Sequence, residues 1–95
     1  MSITRFNEFI ALPGNLAELT QAFLPILRKI RSAKGCESCE MFIAVEGKER
    51  IIIIERWADV SSHQTAAKLI GPTDFQTIIG LLEGPPAGKY FTEVG

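Results

Sequence analysis

The sequence predicts an α+β protein of the ferredoxin-like, split βαβ class: a four-stranded antiparallel sheet with its helices on one face. Three observations carry that prediction. Ninety-five residues make one small core and leave no room for a second, so residues 1–95 read as a single domain. Hydrophobic periodicity switches between about two and about 3.6 residues in the order strand, helix, two strands, helix pair, strand. The balance of 46% hydrophobic against 22% charged residues belongs to a packed globular chain and excludes disorder.

Residues 3–12 read as the first strand, with Phe6 and Ile10 on one side, Asn7 and Phe9 on the other, and Pro13-Gly14 ending the ladder. Asn15 is placed to cap the first helix by accepting from its first-turn N–H groups, and Glu18 completes a box-like pattern. Leu16, Leu19, Phe23, Ile26 and Ile30 then form one apolar stripe running to about Ala33, with a kink expected at Pro25. Residues 38–46 and 49–57 read as two antiparallel strands joined by a short turn at Glu46-Gly47-Lys48. Asp59 caps a second helix whose inward face carries Val60, His63, Ala67 and Ile70, until Gly71-Pro72 stops it. Thr73 and Gln76 have capping-box spacing for a third helix, with Phe75, Ile78, Ile79 and Leu82 as its apolar face and Gly84-Pro85-Pro86 as its end. Residues 88–94 close the chain as a short strand.

Ile51 and Ile53 fall on one side of the third strand and Ile52 and Ile54 on the other, so both faces of the sheet are partly apolar. Helices cover only one of them. The uncovered face predicts a homodimer formed through the sheets. Ten Lys+Arg against eleven Asp+Glu leave a net charge of −1, which argues against nucleic acid as a partner. The longest aliphatic run, Ile51 to Ile54, is far short of the ~20 residues that span a bilayer, so no membrane association is expected and the cytoplasm is the default location. Cys36 and Cys39 form a CxxC that reads as a redox pair, half a zinc site or two structural thiols; the last is favoured, because residues three apart on a strand lie roughly 10 Å apart, beyond disulfide reach.

No glycine-rich nucleotide loop, HExxH or Gly-x-Ser-x-Gly motif is present, and a single histidine forbids a multi-His metal site. No cofactor and no metal are expected. Candidate chemistry rests on a few polar or aromatic side chains on otherwise apolar faces: Arg5 and Asn7, Glu55 and Trp57, and His63. His63 is placed to act as an acid or base near neutral pH, or to be a core histidine with both ring nitrogens satisfied. Asn7 reads as a pocket donor or a satisfied edge residue, Trp57 as core that doubles as a ligand wall, and Glu55 as the partner of Arg5 and Arg56 in an ion pair holding strand ends.

The runs Leu-Pro-Gly-Asn-Leu-Ala-Glu-Leu, Gly-Cys-Glu-Ser-Cys-Glu and Ile-Ile-Ile-Ile-Glu-Arg-Trp-Ala-Asp-Val, in that order and spacing, resemble the antibiotic biosynthesis monooxygenase family of dimeric α/β barrels. The most specific piece is Glu55-x-Trp57-x-Asp59 leading into a helix. The resemblance implies two sheets meeting across a dimer and a ligand cavity between each sheet and its own helices. Its activities include cofactor-free oxygenation of phenols and quinols, haem degradation and isomerisation of a small sugar phosphate.

Position by position, the resemblance places Asn7 where haem-degrading members keep a catalytic Asn, Trp57 at a cavity Trp of quinone-forming members, and His63 where those enzymes carry a Tyr. It implies substrate contacts from Arg5, Phe9, Ile53 and Glu55 on the strands and from Ala66, Ala67 and Phe75 on the helices. The chain differs in having Ala66 where many members have His, Ile53 where quinone-forming members are polar, and no histidine near Ile79 to act as an axial haem ligand. The implied function is cofactor-independent oxidation of a small aromatic phenol or quinol by O2. In it His63 accepts a proton, Asn7 donates a hydrogen bond to the substrate oxygen and Trp57 walls the ring. The alternatives are a non-enzymatic dimeric ligand-binding or stress-associated domain, and a sugar-phosphate isomerase. A cavity of ~300 Å³ or more suits an aromatic ligand, whereas an interior filled by its own side chains suits the non-enzymatic reading.

Overall fold

The structure, a computed structural model, describes residues 2–95. Its elements run β1 (Ile3–Ile10), α1 (Leu16–Arg31), β2 (Cys36–Ile43), β3 (Arg50–Trp57), α2 (Val60–Ala67), α3 (Pro72–Gly80) and β4 (Ala87–Phe91). The four strands form one antiparallel sheet in the order β2-β3-β1-β4, which is the split βαβ arrangement the periodicity predicts. Register aligns Cys39, Glu55, Arg5 and Tyr90 in one row across the sheet, and Met41, Ile53, Asn7 and Gly88 in another, two residues along each strand. Strand side chains alternate between faces, so both rows point the same way.

That face meets the helices. Ile51, Ile53 and Trp57 of β3 are buried there with Leu19, Phe23, Ile26, Leu27 and Ile30 of α1, Ala66 of α2 and Ile78 of α3. The opposite face keeps Ile52 and Ile54 half-buried and Phe6, Phe42 and Phe91 exposed, with Phe6 and Phe91 in edge-to-face contact at 6.3 Å. Among the described residues no helix is long and apolar enough to cross a membrane.

Several local details differ from the sequence reading. Asn15 makes no capping bond; its amide donates to Glu18 instead, at 3.3 Å. α1 runs through the exposed Pro25, as expected, but ends at Arg31, short of Ala33. β1 stops at Ile10, because the Ala11 and Leu12 amides turn to Glu49 and Leu81, and Ala11 bridges Leu82. β2 begins at Cys36 and leaves the sheet at Ile43, so the connection to β3 is a loop over 44–49 rather than a three-residue turn. α2 ends at Ala67, short of Gly71. α3 starts with Gly71 as its cap residue and Pro72 in its first turn, which leaves Thr73 inside the helix and not at its cap; Gly80 ends it. β4 ends at Phe91, short of residue 94.

Asp59 does cap α2: its carboxylate accepts from the Ser62 amide at 2.7 Å. Gly35 fixes where that helix lands. It has φ +87°, and a Cβ there would collide with the Ser62 side chain, so the α1–β2 corner and the first turn of α2 meet in a space only glycine leaves. This contact and the packing of α2 on β3 bring His63 over Trp57.

Candidate functional site

Between the inner face of the sheet and helices α1 and α2 lies a cavity of about 110 Å³. Phe9, Phe23, Ile26, Ile30, Ile53, Ala66, Ala67 and Ile70 make most of its wall, and Asn7, Glu55, Trp57 and His63 supply its polar side. The polar residues are one connected cluster.

Glu55 is its centre. One carboxylate oxygen accepts from the Trp57 indole N–H at 2.8 Å, and the other from the Asn7 amide at 2.8 Å. Asn7 also donates to the Ile53 carbonyl at 3.1 Å, and its oxygen accepts from Arg5 Nε at 3.1 Å. Both amide hydrogens of Asn7 are thereby committed, so it orients Glu55 and has none left for a ligand. A role as substrate donor, as expected from the sequence, would require one of these two bonds to be exchanged. The ion-pair reading of Glu55 is corrected. The Arg5 guanidinium bonds Asn7 and lies over the Tyr90 ring, 4.7 Å from its centroid, while Arg56 pairs with Glu93 at the surface.

His63 stands edge-on to Trp57, with ring centroids 5.6 Å apart. Its Nδ1 lies 2.7 Å from the Tyr90 hydroxyl, and its Nε2 lies 3.9 Å from Glu55 Oε1. Burial, and secondarily the charge of Arg5, hold the imidazole below its usual range, so at neutral pH it is uncharged. Burial pushes the Glu55 carboxyl the other way, partly offset by the bonds from Trp57 and Asn7 and by the charge of Arg5. Burial thus shifts both groups toward their neutral forms, the carboxyl up and the imidazole down, at the wall of an apolar cavity.

Arg5 supports the cavity from behind, through Asn7 and Tyr90, and does not line it. Phe75 does not reach it: α3 turns this side chain outward, 53% exposed, so a ligand contact from Phe75 is corrected to a surface position. Cys36 and Cys39 are free, and Cys39, buried beside the negative charge of Glu55, has its thiol pushed up to about 12. The residue of this cluster absent from the sequence reading is Tyr90, which meets His63 Nδ1. Its contact with His63 depends on the pairing of β4 with β1, which residue order alone does not give.

A family model described as antibiotic biosynthesis monooxygenase matches residues 2–69. No curated protein matches the chain in sequence. Solved structures share its fold over nearly the full length of both chains. A conserved protein from Methanosarcina mazei superposes with TM-score 0.87 at 13% identity, covering 99% of this chain and 94% of that one. Rv0793 from Mycobacterium tuberculosis gives 0.83 at 15% identity, covering 100% and 97%. SnoaB, a cofactor-independent oxygenase from Streptomyces nogalater, gives 0.82 at 18% identity, covering 99% and 94%.

Proposed function

Because this chain belongs to the antibiotic biosynthesis monooxygenase family, we propose that it oxidises a small, single-ring phenol or quinol with O2 and without a bound cofactor. The observation that carries this reading is the Glu55–His63 pair at the wall of an otherwise apolar cavity. An aromatic ring needs the apolar wall, and its hydroxyl needs a group that takes a proton. SnoaB, a cofactor-independent oxygenase with the same fold, supports the reaction class. The volume of about 110 Å³ is below the ~300 Å³ expected above for an aromatic ligand and below the ~150 Å³ that holds a benzene ring, so the proposed substrate is confined to a single ring, seated with some yielding of the aliphatic wall.

Oxidation begins with loss of the phenolic proton to the Glu55–His63 pair, which raises the reducing power of the ring. The phenolate gives one electron to O2, the two radicals join at a ring carbon, and the resulting peroxide collapses. One oxygen atom stays on the ring as a quinone carbonyl and the other leaves as water, so substrate and O2 account for every atom and electron. The protein contributes orientation, by Trp57 and the aliphatic wall, and proton transfer. A second copy bound through the outer sheet face, around Phe6 and Phe91, completes the assembly.

Oxygen consumption across single-ring phenols and hydroquinones, without added cofactor, tests the reading. Uptake that falls by about 10²-fold or more in His63→Ala supports it. No uptake from any member of the panel overturns it and leaves the apolar cavity as a binding site without turnover. The sugar-phosphate reading has no support in the cavity, whose lining contains neither Arg nor Lys.

A further inference from the structure

The 3.9 Å between Glu55 Oε1 and His63 Nε2 is too long for a hydrogen bond and short enough for one atom to bridge. An oxygen about 2.8 Å from each, an ordinary hydrogen-bond length, subtends roughly a right angle between them. We propose that this gap is the seat of a single ligand hydroxyl, held there because Tyr90, braced by Arg5, fixes His63 with its N–H facing Glu55. The proposal deepens the oxygenase reading by assigning the group that the substrate must carry, and it rests on that reading only for the chemistry that follows binding.

The polarity of the seat follows from its neighbours. Both oxygens of Glu55 already receive an N–H, from Trp57 and from Asn7, an arrangement that suits a carboxylate. A carboxylate beside Nε2 favours the tautomer with its proton on Nε2. The Tyr90 hydroxyl then donates to Nδ1, which agrees with the 2.7 Å separation. Arg5 lies on the face of the Tyr90 ring and occupies the place where a Cβ on Gly88 would fall, so β4 contributes both the tyrosine and the space that lets it be clamped.

The seat therefore presents one acceptor, Glu55, and one donor, His63 Nε2–H. A hydroxyl satisfies both at once. An ether oxygen satisfies only the donor, and a carbonyl oxygen likewise leaves the carboxylate facing a lone pair. Phenol oxidation turns the first kind of group into the last, so the seat holds substrate and releases product.

Calorimetric binding under anaerobic conditions separates recognition from turnover. Phenol and its methyl ether, anisole, are titrated into the untagged wild type, Tyr90→Phe and Gly88→Ala. The expected result is phenol bound at least about 10-fold tighter than anisole by the wild type, with the preference falling below about 3-fold in Tyr90→Phe and reduced in Gly88→Ala. His63 is the one histidine, so its ring nitrogens are read directly by 15N NMR: wild type shows the proton on Nε2, and Tyr90→Phe shows a mixture. Equal affinity for the two ligands, binding of neither, a preference unchanged in Tyr90→Phe, or a proton on Nδ1 in the wild type overturns the proposal. Preferential phenol binding without oxygen uptake sinks the oxygenase reading and leaves the seat standing; uptake without the preference does the reverse.

Discussion

Glu55 accepts two N–H donors at once, and this determines what its nearest isostere does. Glutamine has one carbonyl oxygen, so Glu55→Gln turns an NH2 group against either Trp57 Nε1 or Asn7 Nδ2. The variant is expected to lose about 1–3 kcal/mol of stability, measured as a lowered urea midpoint, although it removes a buried charge. The two titrating groups also pull stability in opposite directions with pH. His63 is held below its unfolded value of 6.5, so the unfolded chain binds its proton more readily. Its contribution is complete above pH 6.5 and declines as pH falls below it. Glu55 is held above 4.5, so the penalty of ionising it is complete above its raised value and is relieved as pH falls towards 4.5. Replacing His63 by Gln is expected to flatten the loss of stability that begins below pH 6.5, and urea midpoints across that range read it.

Helix α2 contributes His63, Ala66 and Ala67 to the cavity from only eight residues, so its placement matters more than its intrinsic stability. Gly35 sets that placement. Gly35→Ala introduces a Cβ at φ +87° and drives it against Ser62, which is expected to cost more than about 1 kcal/mol and to shift α2 off Trp57, visible as a lower melting temperature. Strand and helix order was legible in the sequence because burial on one face writes a period of two or 3.6 directly into residue order. Alternation from Ile51 to Trp57 therefore placed Glu55 and Trp57 on the inner face, and the helix stripe placed Phe23, Ile26 and Ile30 opposite them. What periodicity does not encode is where a side chain ends. Asn7 and His63 were identifiable as polar residues on apolar faces, but the commitment of both Asn7 amide hydrogens depends on register with Ile53 and Glu55 across β3. Phe75 belongs to the apolar part of α3 in sequence, yet the helix begins at Pro72 and turns that residue outward. Tyr90 lies on an edge strand whose residues are all exposed, so burial writes no alternation into its sequence.

At the scale of the whole molecule, one sheet face is closed by helices and the other is open. Phe6, Phe42 and Phe91 are exposed on the open face beside Ile52 and Ile54, an apolar set of the kind that marks an interface, interspersed with Glu8, Glu40, Arg56 and Lys89. Sedimentation at micromolar concentration is expected to show a dimer, and Phe6→Glu to shift it toward monomer by 10-fold or more in dissociation constant, about 1.4 kcal/mol. A wild-type monomer under those conditions defeats the assembly. The inner face has a different consequence. Trp57, the single tryptophan of the chain, is fully buried with its indole edge-on to the single histidine. Imidazolium quenches indole emission and neutral imidazole does so far less, so the fluorescence of this protein comes from the wall of its own cavity and varies with the charge of the ring beside it. The molecule carries an unlabelled optical reporter at the place where its chemistry is proposed to occur.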